Sequence, residues 1–171
     1  VLVSTQRDLI AGECSKDLAD RVMLPERIVK AHNDGILHFH DKDYFVQPMH
    51  NCCLVNIGDM LDNGTVMNGK MIESPKSFQV ACTVLTQIIA AVASSQYGGQ
   101  SVNIEHLGKY LKTSEDKFRK KLTEKYKSKL KKDDIENLVQ DRIKEELSSG
   151  VQTIQYQINT LMTTNGQSPF V

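Results

Sequence analysis

The chain has 171 residues, 40% of them hydrophobic and 25% charged, and its 21 basic and 21 acidic side chains leave a formal net charge of zero. These are ordinary values for one globular domain. Sparse aromatics, the absence of Trp and few Pro or Gly argue against an all-β sandwich, and the four cysteines, at 14, 52, 53 and 82, form no CxxC pair.

No secretory signal pattern is visible, so a cytoplasmic protein with reduced thiols is the simplest expectation. The chain opens without Met and closes on SPFV, and it reads as a piece of something longer. Residues 3–23 predict one or two polar helices. Pro25 predicts the start of another, with Gly35 as its stop. Residues 38–44 look irregular. Cys52 to Ile57 (CCLVNI) is apolar and β-branched and predicts a short buried strand. Asn63-Gly64 and Asn68-Gly69 flank TVM and predict turns around a short hairpin.

From Pro75, at a first-turn position, SFQVACTVLTQIIAAVASSQY predicts a long helix. Phe78, Ala81, Cys82, Leu85, Ile88, Ile89 and Val92 recur at helical spacing, and Val80, Val84 and Ala91 extend the apolar surface to a helix buried nearly all round. Gln79, Thr83, Thr86 and Gln87 interrupt it, so it lacks the apolar run that a membrane span needs. Residues 104–130 predict a second long helix striped by Ile104, Leu107, Leu111, Phe118, Leu122, Tyr126 and Leu130. Asp133 or Asp134 is the expected cap of a third, which Gly150 interrupts or ends before the period resumes to about Thr164. NGQSP then reads as a loop and PFV as the start of a strand.

Between Lys109 and Lys132 stand 11 Lys/Arg against three acids. A solvated helix face accounts for most such runs; the functional alternative is an anion site, for nucleic acid or for a nucleotide phosphate. Nucleic acid is disfavoured because Phe118 and Tyr126 belong to the apolar stripe and the whole chain is neutral.

The densest chemistry is HFHDKDYFVQPMHNCCLV, residues 38–55. Structural zinc needs four ligands in a tetrahedron. His38 and His40 are spaced like strand ligands, but the adjacent Cys52 and Cys53 chelate one ion poorly, and a vicinal disulfide strains the backbone. A Cys/His nucleophile using His50 and an inert thiol in an apolar strand both stay open.

That stretch, with MIESPKSFQVACTVLTQIIAAVASSQYGG and TTNGQSPFV, closely resembles the catalytic subunit of the anaerobic (class III) ribonucleoside-triphosphate reductases, from about residue 5 to the C-terminus. The lysine-rich region from about 112 to 150 carries least of the likeness. The resemblance implies a mainly α chain with a few short strands, a fragment of a ten-stranded α/β barrel of the glycyl-radical type. Its divisions would be residues 1–74 (N-terminal helices and a first barrel strand), 75–165 (a long-helix dimerisation and effector region) and 166–171 (the start of a further strand). It implies reduction of ribonucleoside triphosphates to deoxyribonucleoside triphosphates by radical chemistry without oxygen. A glycyl radical, made by a radical-S-adenosylmethionine activase, oxidises one cysteine to a thiyl radical that abstracts the ribose 3′ hydrogen. The Asn-Cys motif puts Cys52 in the role of the second cysteine, which protonates or donates hydrogen to the substrate as the 2′ hydroxyl leaves, with formate the common final reductant. Burial in a strand would keep such a thiol protonated.

On the same resemblance His38, His40, Asp41 and Asn51 line the substrate pocket, while Cys53, on the opposite strand face, joins Cys14 and Cys82 as structural. Glu73, Lys76 and Gln87 fall at an allosteric deoxynucleotide site between subunits of a homodimer, with Arg119 and Lys120 as phosphate ligands. Lys76 and Gln87, 11 residues apart, are expected to share a helix face. ATP or deoxynucleotide effectors with Mg are expected. The glycyl radical, the family's structural zinc and the thiyl cysteine are expected outside this chain, which alone would be inactive and hold no metal. No membrane and no nucleic-acid partner is expected. A non-catalytic helical nucleotide-binding module and a basic nucleic-acid-binding protein are the alternatives.

Overall fold

The computed structural model describes residues 3–46, 52–67, 69–96, 98–126, 129–161 and 169–171. The described part is mainly helical, and none of its helices is long and apolar enough to cross a membrane.

Helix α1 (Val3–Leu18) runs into a π-helical turn, Ala19–Met23. Ser15 and Ala19, one turn apart, are buried on its inner side. Ser15 Oγ donates to Lys42 O at 3.3 Å, and the Lys42 ammonium lies 2.9–3.0 Å from both carboxylate oxygens of Asp20. Helix α2 (Glu26–Asn33) starts one residue after Pro25. It stops as expected at Gly35, whose φ of +71° lets Gly35 N–H reach His32 O and Ile36 N–H reach Ala31 O. Residues 38–44 are irregular apart from a 3-10 turn, Lys42–Tyr44, entered through Asp41 at φ +53°.

Strand β1 is shorter than the sequence predicts, Cys53–Val55, because Asn56 caps a helix the sequence did not announce, α3 (Ile57–Asp62), by accepting from Asp59 N–H at 3.3 Å. The expected hairpin is present as β2 (Thr65–Met67) and β3 (Lys70–Ile72). Met67 pairs with Lys70, leaving a two-residue connection with Gly69 at φ +74°.

Helix α4 (Phe78–Ala93) begins at Ser77, not Pro75. Its first three N–H groups each meet a side-chain acceptor: Phe78 N–H donates to Ser114 Oγ (2.9 Å), Gln79 N–H to Glu146 Oε1 (3.3 Å) and Val80 N–H to Ser77 Oγ (3.4 Å). Burial nearly all round is also corrected, since Val80, Gln87 and Ala91 form an exposed stripe. Strand β4 (Gln100–Val102) pairs parallel with β1.

Beyond a 3-10 turn at Ile104–Leu107, α5 (Gly108–Tyr126) and α6 (Lys132–Thr160) pack with α4 into a bundle. Arg119 meets Glu136 and Ser114 meets Glu146, so α5 and α6 are antiparallel; Gln79 meets Thr153 and Thr86 meets Gln157, so α4 and α6 are parallel. Lys131, without a side-chain cap bond, holds the N-cap of α6, and Asp133 and Asp134 instead occupy its first turn, where they favour the helix dipole. Gly150 neither ends nor interrupts α6. It is buried against α4, and a Cβ there would lie 2.9 Å from Cys82 Sγ and closer still to the Phe78 ring. The absent side chain lets the two helices approach. The core is Val55, Ile57 and Leu61, the inner face of α4, and Leu107 and Tyr110.

Candidate functional site

In a strand, successive side chains point to opposite faces. Val55 is buried, Cys53 half-buried against the core, and Leu54 is 79% exposed. Cys52, one residue before the strand, is exposed with Leu54. The two adjacent thiols therefore part, Cys53 inward and Cys52 outward. The expectation that Cys52 is a buried thiol is overturned, because the strand's outer face is open.

Backbone contacts fix that geometry. Cys53 N–H donates to Gly99 O at 3.2 Å, and Cys53, Leu54 and Val55 pair with Gln100, Ser101 and Val102. Gln100, 3% exposed, donates from Nε2 to Ile89 O at 2.8 Å, tying β4 to α4. Its N–H donates to Phe170 O at 3.0 Å on the edge away from β1. Gly99 admits this approach, since a Cβ there would lie 2.6 Å from the Phe170 ring. Inside, Cys53 lines a groove of about 410 Å³ with Met60, Met67, Ile88, Val92 and Gln96.

His38, His40 and Asp41 do come together. The His38 ring centroid lies 5.6 Å from that of His40 and 5.7 Å from that of His32, and His40 Nε2 is 3.3 Å from Asp41 Oδ1. His32 was not anticipated; its Nδ1 accepts Phe39 N–H at 3.2 Å, which leaves its other nitrogen to carry the proton. Asn51 and His50 lie outside the described residues. Among the described residues no group of three or more His, Cys, Asp or Glu could hold a metal ion.

Glu73 and Lys76 are exposed between β3 and α4, and Gln87 is exposed on the α4 stripe. Lys76 precedes the helix, so the three-turn spacing to Gln87 does not apply. Lys117 Nζ donates to Lys76 O at 3.1 Å. Arg119 is held by Glu136 at 2.9–3.0 Å, by Glu115 and by Asp116; Glu136 first and then Glu115 raise its pKa. Lys120 is exposed and has no ion-pair partner among the described residues.

Cys82 is fully buried, and burial, helped by the Glu146 charge, pushes its thiol up to about 11, so it keeps its proton at neutral pH. Glu146 and Gln100, which brace these elements, were missed. Nothing in their sequence positions sets them apart from surface polar residues; only the packing does.

A family model described as anaerobic ribonucleoside-triphosphate reductase matches residues 1–171. The chain is 41% identical over 98% of its length to the anaerobic ribonucleoside-triphosphate reductase of Enterobacteria phage T4, covering 27% of that protein. It is 41% identical over 99% of its length to the protein of the same name from Haemophilus influenzae, covering 24% of it. Against that from Escherichia coli the identity is 40% over 99% of the chain, again 24% of the relative. The chain thus spans about a quarter of the length of the relatives it matches.

Proposed function

This chain belongs to the anaerobic ribonucleoside-triphosphate reductase family, and on that premise we propose that it supplies a substrate-facing cysteine to an oxidoreductase that reduces ribonucleoside triphosphates. The observation that carries the proposal is the parting of the two thiols at β1: Cys52 faces out from the fold beside Leu54, while Cys53 packs inward. A substrate ribose above that outer face would meet only the Cys52 S–H, which is weak enough to exchange hydrogen with a carbon radical. As the 2′ hydroxyl leaves as water, Cys52 supplies its proton or donates a hydrogen atom to the substrate carbon radical. His38, His40 and Asp41, with Asn51, supply donors and acceptors at the pocket wall.

β1 and β4 are adjacent strands of the family's ten-stranded barrel. Their parallel pairing supports this, and so does Phe170 O beside the outer edge of β4, since parallel strands belong to larger, covered sheets. Other segments of the enzyme provide the thiyl cysteine and the glycyl radical, which starts the chemistry after the activase forms it. Other segments likewise hold the family's zinc centre, and formate is the reductant common in the family. The exposed stripe of α4, with Glu73, Lys76 and Gln87, forms a homodimer seam that binds an effector deoxynucleotide and its Mg. Lys120 is a freer phosphate ligand than Arg119, whose carboxylate partners a phosphate would have to displace.

The test is turnover of ribonucleoside triphosphates by the full-length enzyme after anaerobic activation. Cys52→Ser should bind nucleotide and form no product, while Cys14→Ser and Cys82→Ser retain activity. Product from the Cys52→Ser enzyme would overturn the proposal.

A further inference from the structure

His32, half-buried in the last turn of α2, ties the start of the HFHD loop to that helix. Helix α2 first closes on its own carbonyls: Ile36 and Leu37 N–H both donate to Ala31 O, at 2.9 and 3.2 Å. Two residues on, a backbone donor goes to a side chain instead. Phe39 N–H meets His32 Nδ1 at 3.2 Å, so Nδ1 carries no proton and the ring's proton stands on Nε2. The far end of the loop is fastened separately. Lys42 pairs there with Asp20, and Ser15 Oγ donates to Lys42 O and accepts Val46 N–H at 3.4 Å.

Phe39 is thus the fixed point between two histidines. Its N–H is held by α2, and its ring meets the Phe45 ring edge-on with centroids 5.1 Å apart. His38 and His40, the residues before and after it, are both exposed and bring their ring centroids within 5.6 Å. The His32 ring centroid also lies 5.7 Å from that of His38, with the planes tilted by 47°. Without Nδ1 a backbone donor loses its partner, and residues 38–41 turn until water supplies another.

We propose that His32 is a positioning residue: through Nδ1 and the Phe39 N–H it sets the direction in which His38 and His40 present their donors to the nucleotide. This role rests on the reading of those two histidines as pocket wall.

Turnover by the full-length, anaerobically activated enzyme, with hydrogen exchange followed over residues 36–46, tests the role. Asn places its Oδ1 where histidine has Nδ1, whereas Phe keeps a ring beside His38 and removes the acceptor. His32→Phe should speed exchange in that segment and lower kcat/KM by about tenfold or more, since a displacement of about 1 Å costs catalysis heavily. His32→Asn should keep the protection and hold kcat/KM within about threefold of the parent enzyme. If His32→Phe does not fold, His32→Gln, whose acceptor stands one bond farther out, carries the same expectation of loss. His38→Ala and His40→Ala in the same assay read the wall itself. Full turnover in both overturns the pocket reading and the role with it. Loss in either, beside a fully active His32→Phe enzyme, overturns the role alone. Equal loss in His32→Phe and His32→Asn does the same, as does a loss of turnover without faster exchange.

Discussion

Two thiols one bond apart in sequence have different environments because strand geometry alternates. Cys52 and Cys14 are exposed, Cys53 is half-buried and Cys82 is sealed between α4 and Gly150. Alkylation followed by mass spectrometry should therefore label Cys14 and Cys52 quickly, Cys53 slowly and Cys82 only after unfolding. Early labelling of Cys82 would contradict the packing of α4 on α6. A second residue-scale consequence concerns acid. Arg119 chiefly, helped by Gln140, lowers the Glu136 carboxyl to about 2 from an ordinary 4.5. A depressed carboxylate contributes stability that is present above about 4.5 and lost as pH falls toward 2. Glu136→Gln should flatten the fall of Tm across that window, and an unchanged acid limb would show that the pair contributes nothing. Both residues are partly exposed, so the effect should also shrink with salt.

At the scale of elements, the long helices were legible, and the short α3 and the helix junctions were not. Periodicity found α4, α5 and α6 because each keeps one apolar side. It overstated the burial of α4, since a run of valines and alanines does not reveal that Val80, Gln87 and Ala91 stay uncovered in this chain. Pro75 looked like a helix start because proline tolerates the first turn, yet Ser77 has the hydroxyl that caps. Gly150 looked like a break. Its burial against Phe78 and Cys82 is a tertiary fact that no local pattern carries. Gly150→Ala should accordingly cost about 1–3 kcal/mol through overpacking, even though alanine is the better helix former. A rise in Tm on calorimetry would mean that helix propensity outweighs the clash. Of the site, HxHD and the Cys52/Cys53 alternation could be read directly. The open outer face of β1 could not, because exposure depends on what lies opposite.

At the scale of the whole molecule, the chain spans about a quarter of its relatives' length, and two of its exposed apolar groups, Leu54 and Phe170 at 79% and 75%, lie on or beside the β1–β4 pair. The effector proposal predicts that calorimetric titration with deoxynucleoside triphosphates gives binding weakened by Lys76→Ala and by Gln87→Ala. Binding indifferent to both would move the site elsewhere. The central claim, that Cys52 and not Cys53 faces the substrate, is tested most directly by comparing Cys52→Ser with Cys53→Ser in the full-length, anaerobically activated enzyme. The account predicts no deoxynucleotide product from Cys52→Ser with nucleotide binding intact, and activity retained in Cys53→Ser at a stability cost of about 1 kcal/mol. The reverse pattern, an active Cys52→Ser enzyme beside an inactive but folded Cys53→Ser enzyme, would contradict it.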